Sequence, residues 1–202
     1  NAYVDKAEQK CLPVIELMNR LDYDVATLGN HEFDYGQELL RERISQSEFE
    51  VICANMESCG SELTVPATTI IERGGIKFGF VGVVTNFAGG YPDGQKTNFE
   101  GLTFPSPFEK AVELQSLKKE CDVLVLVSHL GDDMDRVLTV DATEYDLIVG
   151  GHTHTVLPEG QEYNGTLITQ TGKSLKNLGV TVVEMQGDKI TRLENRLVAL
   201  AD

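Results

Sequence analysis

Gly29-Asn30-His31-Glu32-Phe33-Asp34-Tyr35-Gly36 is the stretch whose reading decides the fold. It follows the short apolar run Val25-Ala26-Thr27-Leu28, which reads as a buried strand. A strand that ends in Gly and then presents Asn, His and carboxylates sets polar donors at its C-terminal edge. Open α/β sheets build their binding sites at that edge. Two later stretches repeat the pattern. Val123-Leu124-Val125-Leu126-Val127 runs into Ser128-His129, and Leu147-Ile148-Val149 runs into Gly150-Gly151-His152-Thr153-His154. The chain has 4 His, and all of them follow these apolar runs. If the strands are parallel neighbours, the imidazoles converge on one rim.

Outward from the motif, residues 10–21 carry Leu12, Ile15, Met18 and Leu21 at helical spacing, with Val14 and Leu17 beside them. Pro13 fits if it lies in the first turn. Residues 37–46 predict a second helix with Leu39, Leu40 and Ile44 inward, and Val51-Ile52-Cys53-Ala54 a short buried strand. That β-α-β order implies parallel pairing through a crossover. Thr68–Glu72 and Ile76–Val84 read as a hairpin through Arg73-Gly74-Gly75. Residues 85–104 form a long Gly-, Asn- and Pro-containing connection with Phe87, Tyr91 and Phe99. It is either a mobile rim near the site or simple surface packing. Ser106-Pro107-Phe108-Glu109 carries a helix start with a capping box. Phe108, Ala111, Val112 and Leu114 would face the core, and Lys118 and Lys119 would suit the last turn. Residues 132–140 suit a short helix. From Thr166 the pattern turns β, and Leu167–Gln170, Val180–Met185 and Lys189–Val198 resemble a meander turning at Gln186-Gly187-Asp188.

A length of 202 residues sets one domain, 1–202, as the default. A net charge of −15 argues against a nucleic-acid polymer as partner, since such partners need a basic surface. Small phosphorylated substrates stay open, because bound metal ions supply local positive charge. No apolar run approaches the ~20 residues of a membrane span. Cys11, Cys53, Cys59 and Cys121 form no C-x-x-C pair, which disfavours a cysteine zinc site. Cys53 and Cys121 read as buried hydrophobes, with a Cys53–Cys59 disulfide as the alternative for the first. The chain opens at Asn1 on charged, helix-like sequence without a signal peptide. Processing or a start inside a longer gene would each account for that.

Asn30, His129, His152 and His154 offer an amide oxygen and imidazole nitrogens. Mixed N/O donors suit Zn²⁺, Mn²⁺, Fe or Co better than Mg²⁺ or Ca²⁺. Singly, each His is explained as a structural residue; together at strand ends they point to a metal. Asp34 lies three residues after His31 and can orient it. A carboxylate-held imidazolium stabilises charge on a phosphoryl oxygen or protonates a leaving group. Alternatively, Asp34 caps a helix starting near Gly36. Glu32 reads as a structural or solvated carboxylate, or as an acceptor behind a ligand.

The octapeptide at 29–36, Ser128-His129-Leu130-Gly131 and Gly150-Gly151-His152-Thr153-His154-Thr155 resemble the calcineurin-like metallophosphoesterases. The branch is that of 5′-nucleotidases and UDP-sugar hydrolases, and Met18-Asn19-Arg20-Leu21 matches it too. The resemblance implies an α/β fold, a four-layer α/β/β/α sandwich with two metals at its rim. It implies Asn30, His129 and His152 as ligands of one metal, His154 as ligand of the other, and His31 with Asp34 as the catalytic dyad. It implies phosphoester hydrolysis, most readily of 5′-nucleotides, with both metals stabilising an in-line attack on phosphorus. Sugar-nucleotide pyrophosphate hydrolysis and cyclic phosphodiesterase activity are the alternatives, and a non-catalytic binding module is a further one. A periplasmic or extracellular location follows from the same resemblance.

The family's Asp-x-His on its first strand and its Gly-Asp after the second have no counterpart here. Asp5 is preceded neither by Gly nor by a strand. The sequence therefore predicts an N-terminally incomplete, truncated catalytic domain that also stops before the family's C-terminal domain. It predicts at most one bound metal and weak or absent phosphatase activity. An uncovered sheet edge would invite a dimer or a complementing N-terminal fragment.

Overall fold

A computed structural model describes residues 9–200, so Asp5 lies outside the described residues. Helix α1 spans Leu12–Arg20 with Pro13 in its first turn. Strand β1 (Val25–Thr27) is followed by helix α2 (Gln37–Ser45) and strand β2 (Glu50–Ile52). β1 and β2 pair in parallel, Val25 opposite Glu50, as a crossover through α2 requires. Asn19 fastens α1 to the end of α2: its Nδ2 donates to Gln46 O at 2.9 Å, and its Oδ1 accepts from Glu48 N at 2.9 Å.

Strand β3 (Glu57–Ser58) comes next, then the hairpin of β4 (Thr68–Arg73) and β5 (Ile76–Val84). Arg73 faces Ile76, so Gly74 and Gly75 alone make the turn, with φ of 61° and 82°. Positive φ at both central residues is what a twist-matched two-residue turn demands, and Gly adopts it without a Cβ clash. Strand β6 (Leu102–Thr103) pairs with β3. Helix α3 (Pro107–Leu114) starts at the predicted N-cap, Ser106 Oγ accepting from Glu109 N at 3.3 Å, which is one half of the predicted capping box. Strand β7 (Val123–His129), helix α4 (Asp132–Leu138) and strands β8 (Leu147–Val149), β9 (Gln161–Tyr163) and β10 (Thr166–Thr169) follow. A long hairpin of β11 (Asn177–Gln186) and β12 (Lys189–Ala199) closes the described chain.

The large sheet runs β4-β5-β7-β8-β10-β9, parallel through β5, β7, β8 and β10 and antiparallel at both edges. Alternate residues of its strands face opposite layers, as the two-residue period dictates. Val81, Val83, Leu124, Leu126, Ile148 and Ile168 pack with Ala111 of α3 and Leu138 of α4. On the other face Val123, Val125, Leu147 and Leu167 pack against Val183, Met185, Ile190 and Leu193 of the β11–β12 hairpin. The β1–β2 pair covers the rest of that face beside Gly82, and Leu40 and Ile44 of α2 pack beyond it with Val51 and Cys53. The order helix, sheet, sheet, helix is the four-layer α/β arrangement.

Several expectations are corrected. β1 is half-buried rather than buried, because α1 and α2 cover it incompletely; a cavity of about 510 Å³ separates them from Ala26, Leu28 and Val51. β1 is also no hydrogen-bonded neighbour of β7 or β8; it stacks on β5 and β7 from a second sheet. β10 belongs to the large sheet beside β8, not to a meander with β11 and β12, because all its residues are buried on both faces. Val112 is exposed. α3 ends before Lys118, which sits in a 3-10 stretch and donates to Asp146 Oδ2 at 2.6 Å instead of capping a helix. Cys53 and Cys59 form no disulfide with each other.

Gly82 sets the spacing between the two sheets. A Cβ there would lie 2.6 Å from Ile52 O and 2.7 Å from Thr27 Oγ1, and Ala54 N donates to Gly82 O at 2.7 Å. Gly82→Ala is expected to lower stability by about 1–3 kcal/mol through overpacking. Urea unfolding of the purified variant checks this.

Candidate metal centre

Each side chain of the site hangs at the end of a strand. Asn30 follows β1 in a 3-10 turn at Asn30–Phe33 and is buried. His129 ends β7, and His152 and His154 follow β8. The structure brings Asn30, His129 and His152 together. Asn30 Oδ1 and His129 Nε2 stand 3.0 Å apart, and the His129 and His152 rings meet edge-on with centroids 5.1 Å apart. His154 is exposed on the same rim and is close enough to His129 to repel its protonated form. His31 and Asp34 lie beside the cluster, with His31 Nδ1 2.8 Å from Asp34 Oδ2. The N-cap of α2 is Gly36, with no side-chain cap, so Asp34 serves His31 rather than the helix.

The His129 ring occupies a slot between glycines. A Cβ on Gly29 would come within 2.7 Å of its Cε1, and one on Gly151 within 3.2 Å of its Nδ1. Gly29 after β1 and Gly151 after β8 therefore have a steric cause. Burial, reinforced by repulsion from His152, His31 and His154, lowers the His129 pKa to about 4. At neutral pH the ring is uncharged and keeps a lone pair for a metal. Glu32 is exposed along its flank, but its carboxyl turns inward and accepts from Gly29 N at 2.6 Å. That burial raises its pKa and makes it a brace of the strand end.

The turn carrying His152 and His154 is strained, with φ of 75° and 59° at the two residues. Left-handed non-Gly residues cost about 1–3 kcal/mol each and persist only where their surroundings hold them. Here Gln170 Oε1 accepts from Thr155 N at 2.6 Å. Asp132 Oδ1 accepts from the hydroxyls of Thr155 at 2.6 Å and Thr153 at 2.9 Å. Those hydrogen bonds, the Thr155 hydroxyl foremost, hold the Asp132 carboxyl below its ordinary range. Behind the turn, Ser128 Oγ donates to the fully buried Asp135 Oδ1 at 2.5 Å. A Cβ on Gly150 would lie 2.6 Å from Asp135 Oδ2, so only Gly leaves room for this carboxyl.

The chemistry of the donors, an amide oxygen beside imidazole nitrogens, suits a divalent transition metal. Two donors at 2.0–2.2 Å from a tetrahedral metal stand roughly 3.4 Å apart, and Asn30 Oδ1 and His129 Nε2 are close to that spacing. Among the described residues no three His, Cys, Asp or Glu side chains are placed to hold a metal by themselves, so the set depends on the Asn30 amide.

Sequence reasoning missed Gln170, Asp132 and Asp135, which fix the His turn, and Asp93, whose Oδ2 lies 3.8 Å from His152 Nε2. Asp132 and Asp133 directly after Gly131 were a visible signal of polar residues next to the motif. Asp93 and Gln170 sit in stretches with no motif to mark them. The 85–104 connection does border the site, and it is also packed into the core, Phe99 being buried against Phe33, Tyr91 and Phe104.

The family described as calcineurin-like phosphoesterase matches residues 3–156. The chain is 35% identical over 206 residues to endonuclease YhcR of Bacillus subtilis (strain 168), covering 89% of this chain and 16% of that protein. It is 36% identical over 154 residues to a 5′-nucleotidase-related protein of Glossina morsitans morsitans, covering 72% of this chain and 27% of the relative. The crystal structure of a 5′-nucleotidase precursor from Thermus thermophilus superposes with a TM-score of 0.84 at 24% identity, over 96% of this chain and 42% of that one. The chain belongs to the calcineurin-like phosphoesterase family, a family of hydrolases. It spans less than a third of the length of these curated relatives.

Burial of Asp135 pushes its pKa up to about 7 from an ordinary 3.8. The folded state thus holds this proton where the unfolded chain releases it, and the resulting stability is lost as pH rises from about 4 to 7. His129 acts oppositely: its lowered pKa makes stability fall as pH drops from 6.5 toward 4. Asp135→Asn is expected to abolish the first effect and keep the second. Urea midpoints between pH 4 and 8 should therefore rise more steeply with pH in the variant than in the unmodified chain.

Proposed function

We infer that the chain is a metal-dependent phosphoesterase catalytic domain acting on small phosphorylated substrates, nucleotides foremost. The observation that carries this reading is the meeting of Asn30, His129 and His152 beside the His31–Asp34 pair on one rim. Asn30, His129 and His152 would hold one divalent transition metal, and His154 would be a ligand of a second. When bound, such an ion supplies Lewis-acid polarisation of a phosphoryl oxygen and activates the attacking water.

The protein's own part is positioning and proton transfer. Asp34 fixes the His31 ring through Nδ1, which leaves Nε2 to face the substrate. The ring is largely exposed, so a phosphoester can reach it. In its charged form it donates a proton to the departing oxygen as the ester bond breaks. The neutral His129 and the braced His152–His154 turn keep the donor atoms in place without reorganisation.

A nucleotide rather than a polymer is favoured by the net charge of −15. Relatives bear the names 5′-nucleotidase in Mus musculus, at 31% identity, and 2′,3′-cyclic-nucleotide 2′-phosphodiesterase/3′-nucleotidase in Haemophilus influenzae, at 24%. Both chemistries therefore belong in the test, as does DNA, given the endonuclease relative. An extracytoplasmic site of action is the reading we attach to the family resemblance. No helix among the described residues is long and apolar enough to cross a membrane.

Hydrolysis of a nucleoside 5′-monophosphate, a 2′,3′-cyclic nucleotide, a UDP-sugar and single-stranded DNA is to be measured with Mn²⁺, Zn²⁺ or Co²⁺ added. Slow, metal-dependent release of phosphate from the monophosphate is expected. His31→Ala should reduce it by about 10²–10⁴-fold, with metal affinity unchanged. Turnover that ignores metal or survives His31→Ala would overturn the reading, and cleavage of DNA in preference to nucleotides would overturn the substrate class.

A further inference from the structure

We propose that Lys96 is a specificity-determining residue that meets the leaving group of the substrate and favours one carrying negative charge. The proposal rests on the phosphoesterase reading above and deepens it on the leaving-group side.

Position comes first. The connection between β5 and β6 is fastened on both sides of His31. Asp93 O accepts from Asn30 Nδ2 at 3.2 Å, and Asn98 Nδ2 donates to Asp34 O at 3.5 Å. Gln37, the first residue of α2, secures the second end, its Nε2 donating to Asn98 O and to Glu100 O at 2.9 Å each. Asn30 and Asp34 bracket His31 in sequence, so residues 94–97 bridge past it. Gln95, Lys96 and Thr97 are exposed on this bridge, while Phe99 seats it in the core. Lys96 opens the 3-10 turn at Lys96–Phe99. The flexible four-carbon stem of a Lys brings its ammonium group from there within reach of the His31 flank.

Reaction geometry is the second consideration. In an in-line displacement the bond to the leaving oxygen breaks opposite the attacking water. His31 gives its proton to that oxygen, so the rest of the leaving group extends past the His31 ring and along the 94–97 bridge. A nucleoside monophosphate parts with a neutral nucleoside. In a nucleoside diphosphate, the water oxygen bonds to the terminal phosphorus as its bond to the bridging oxygen breaks, and the His31 proton goes to that bridging oxygen. The products are inorganic phosphate and a nucleoside monophosphate. The second of these leaves as an anion, and an ammonium group beside it makes a charge-assisted hydrogen bond.

Availability is the third. Lys96 makes no hydrogen bond or ion pair among the described residues. Lys110 and Lys118, by contrast, are held by Glu57 and Asp146. Recruiting Lys96 to a ligand therefore breaks no contact within the described fold.

The test is calorimetric titration, with Zn²⁺ present, of a nucleoside 5′-monophosphate and of the matching diphosphate with a methylene bridge that resists cleavage. The 202-residue chain is compared with Lys96→Ala, Lys96→Glu, Lys96→Arg and Lys189→Ala, the last at the far turn of the β11–β12 hairpin as a control for net charge. Lys96→Ala should weaken the diphosphate by roughly 2–5-fold, the scale of one exposed ion pair, and leave the monophosphate unchanged. Lys96→Glu should weaken it further, Lys96→Arg should restore it, and added salt should shrink the differences. An unchanged diphosphate affinity, an equal loss for both nucleotides, the same loss in Lys189→Ala, or a diphosphate that the unmodified chain does not bind would each overturn the proposal. Binding of the monophosphate would then leave the phosphoesterase reading standing. If the unmodified chain binds neither nucleotide, both fail together.

Discussion

The site depends on one close approach between two sheets. β1 and β2 do not belong to the sheet that carries β7 and β8, so Asn30 can meet His129 only if the layers stack without side chains between them. Gly82 permits that, since a Cβ there would strike the backbone of Ile52. At the rim, Gly29 and Gly151 do the same for the His129 ring. Backbone pressed on backbone and ring is what allows donors 99 residues apart in sequence to come within 3.0 Å.

The remaining features supply rigidity around that approach. The His152–His154 turn is strained, and Gln170 with Asp132 holds it from below through the Thr153 and Thr155 groups. Asp135 sits behind it, fully buried with Oδ2 lacking a hydrogen-bond partner among the described residues, as Gln170 Nε2 also does. Such groups cost stability in isolation. They are tolerated here against a fixed rim whose donors need no rearrangement. The cavity beside β1, by contrast, shows where the helices fit loosely.

The fold was largely legible because the strands that lead to the site are short apolar runs, two of them, β1 and β8, followed closely by Gly. The β1-α2-β2 unit, the Gly74-Gly75 hairpin and the Ser106 cap each have a local chemical signal, and each appears where it was expected. The misreadings share a cause: local pattern does not report which layer a strand joins. Thr166–Thr169 follows turn residues as a meander strand would, yet full burial places it beside β8. Val25–Thr27 looks apolar enough for a core, yet only half of it is covered. In the site, Asn30, His31, Asp34, His129, His152 and His154 were visible because strand ends gather donors. Asp93 and Gln170 were not, because their placement follows from aromatic packing and sheet order, which no short motif encodes.

The central claim is that His129 and His152, far apart along the chain, serve one ion. Nitrogen-15 NMR of the imidazole rings during titration with Zn²⁺ tests it most directly. The account predicts that Nε2 of both rings shifts together and is complete at the same first equivalent, while the Nδ1 contact of His31 with Asp34 is retained. Rings that respond at different metal concentrations, or only one ring that responds, would contradict it.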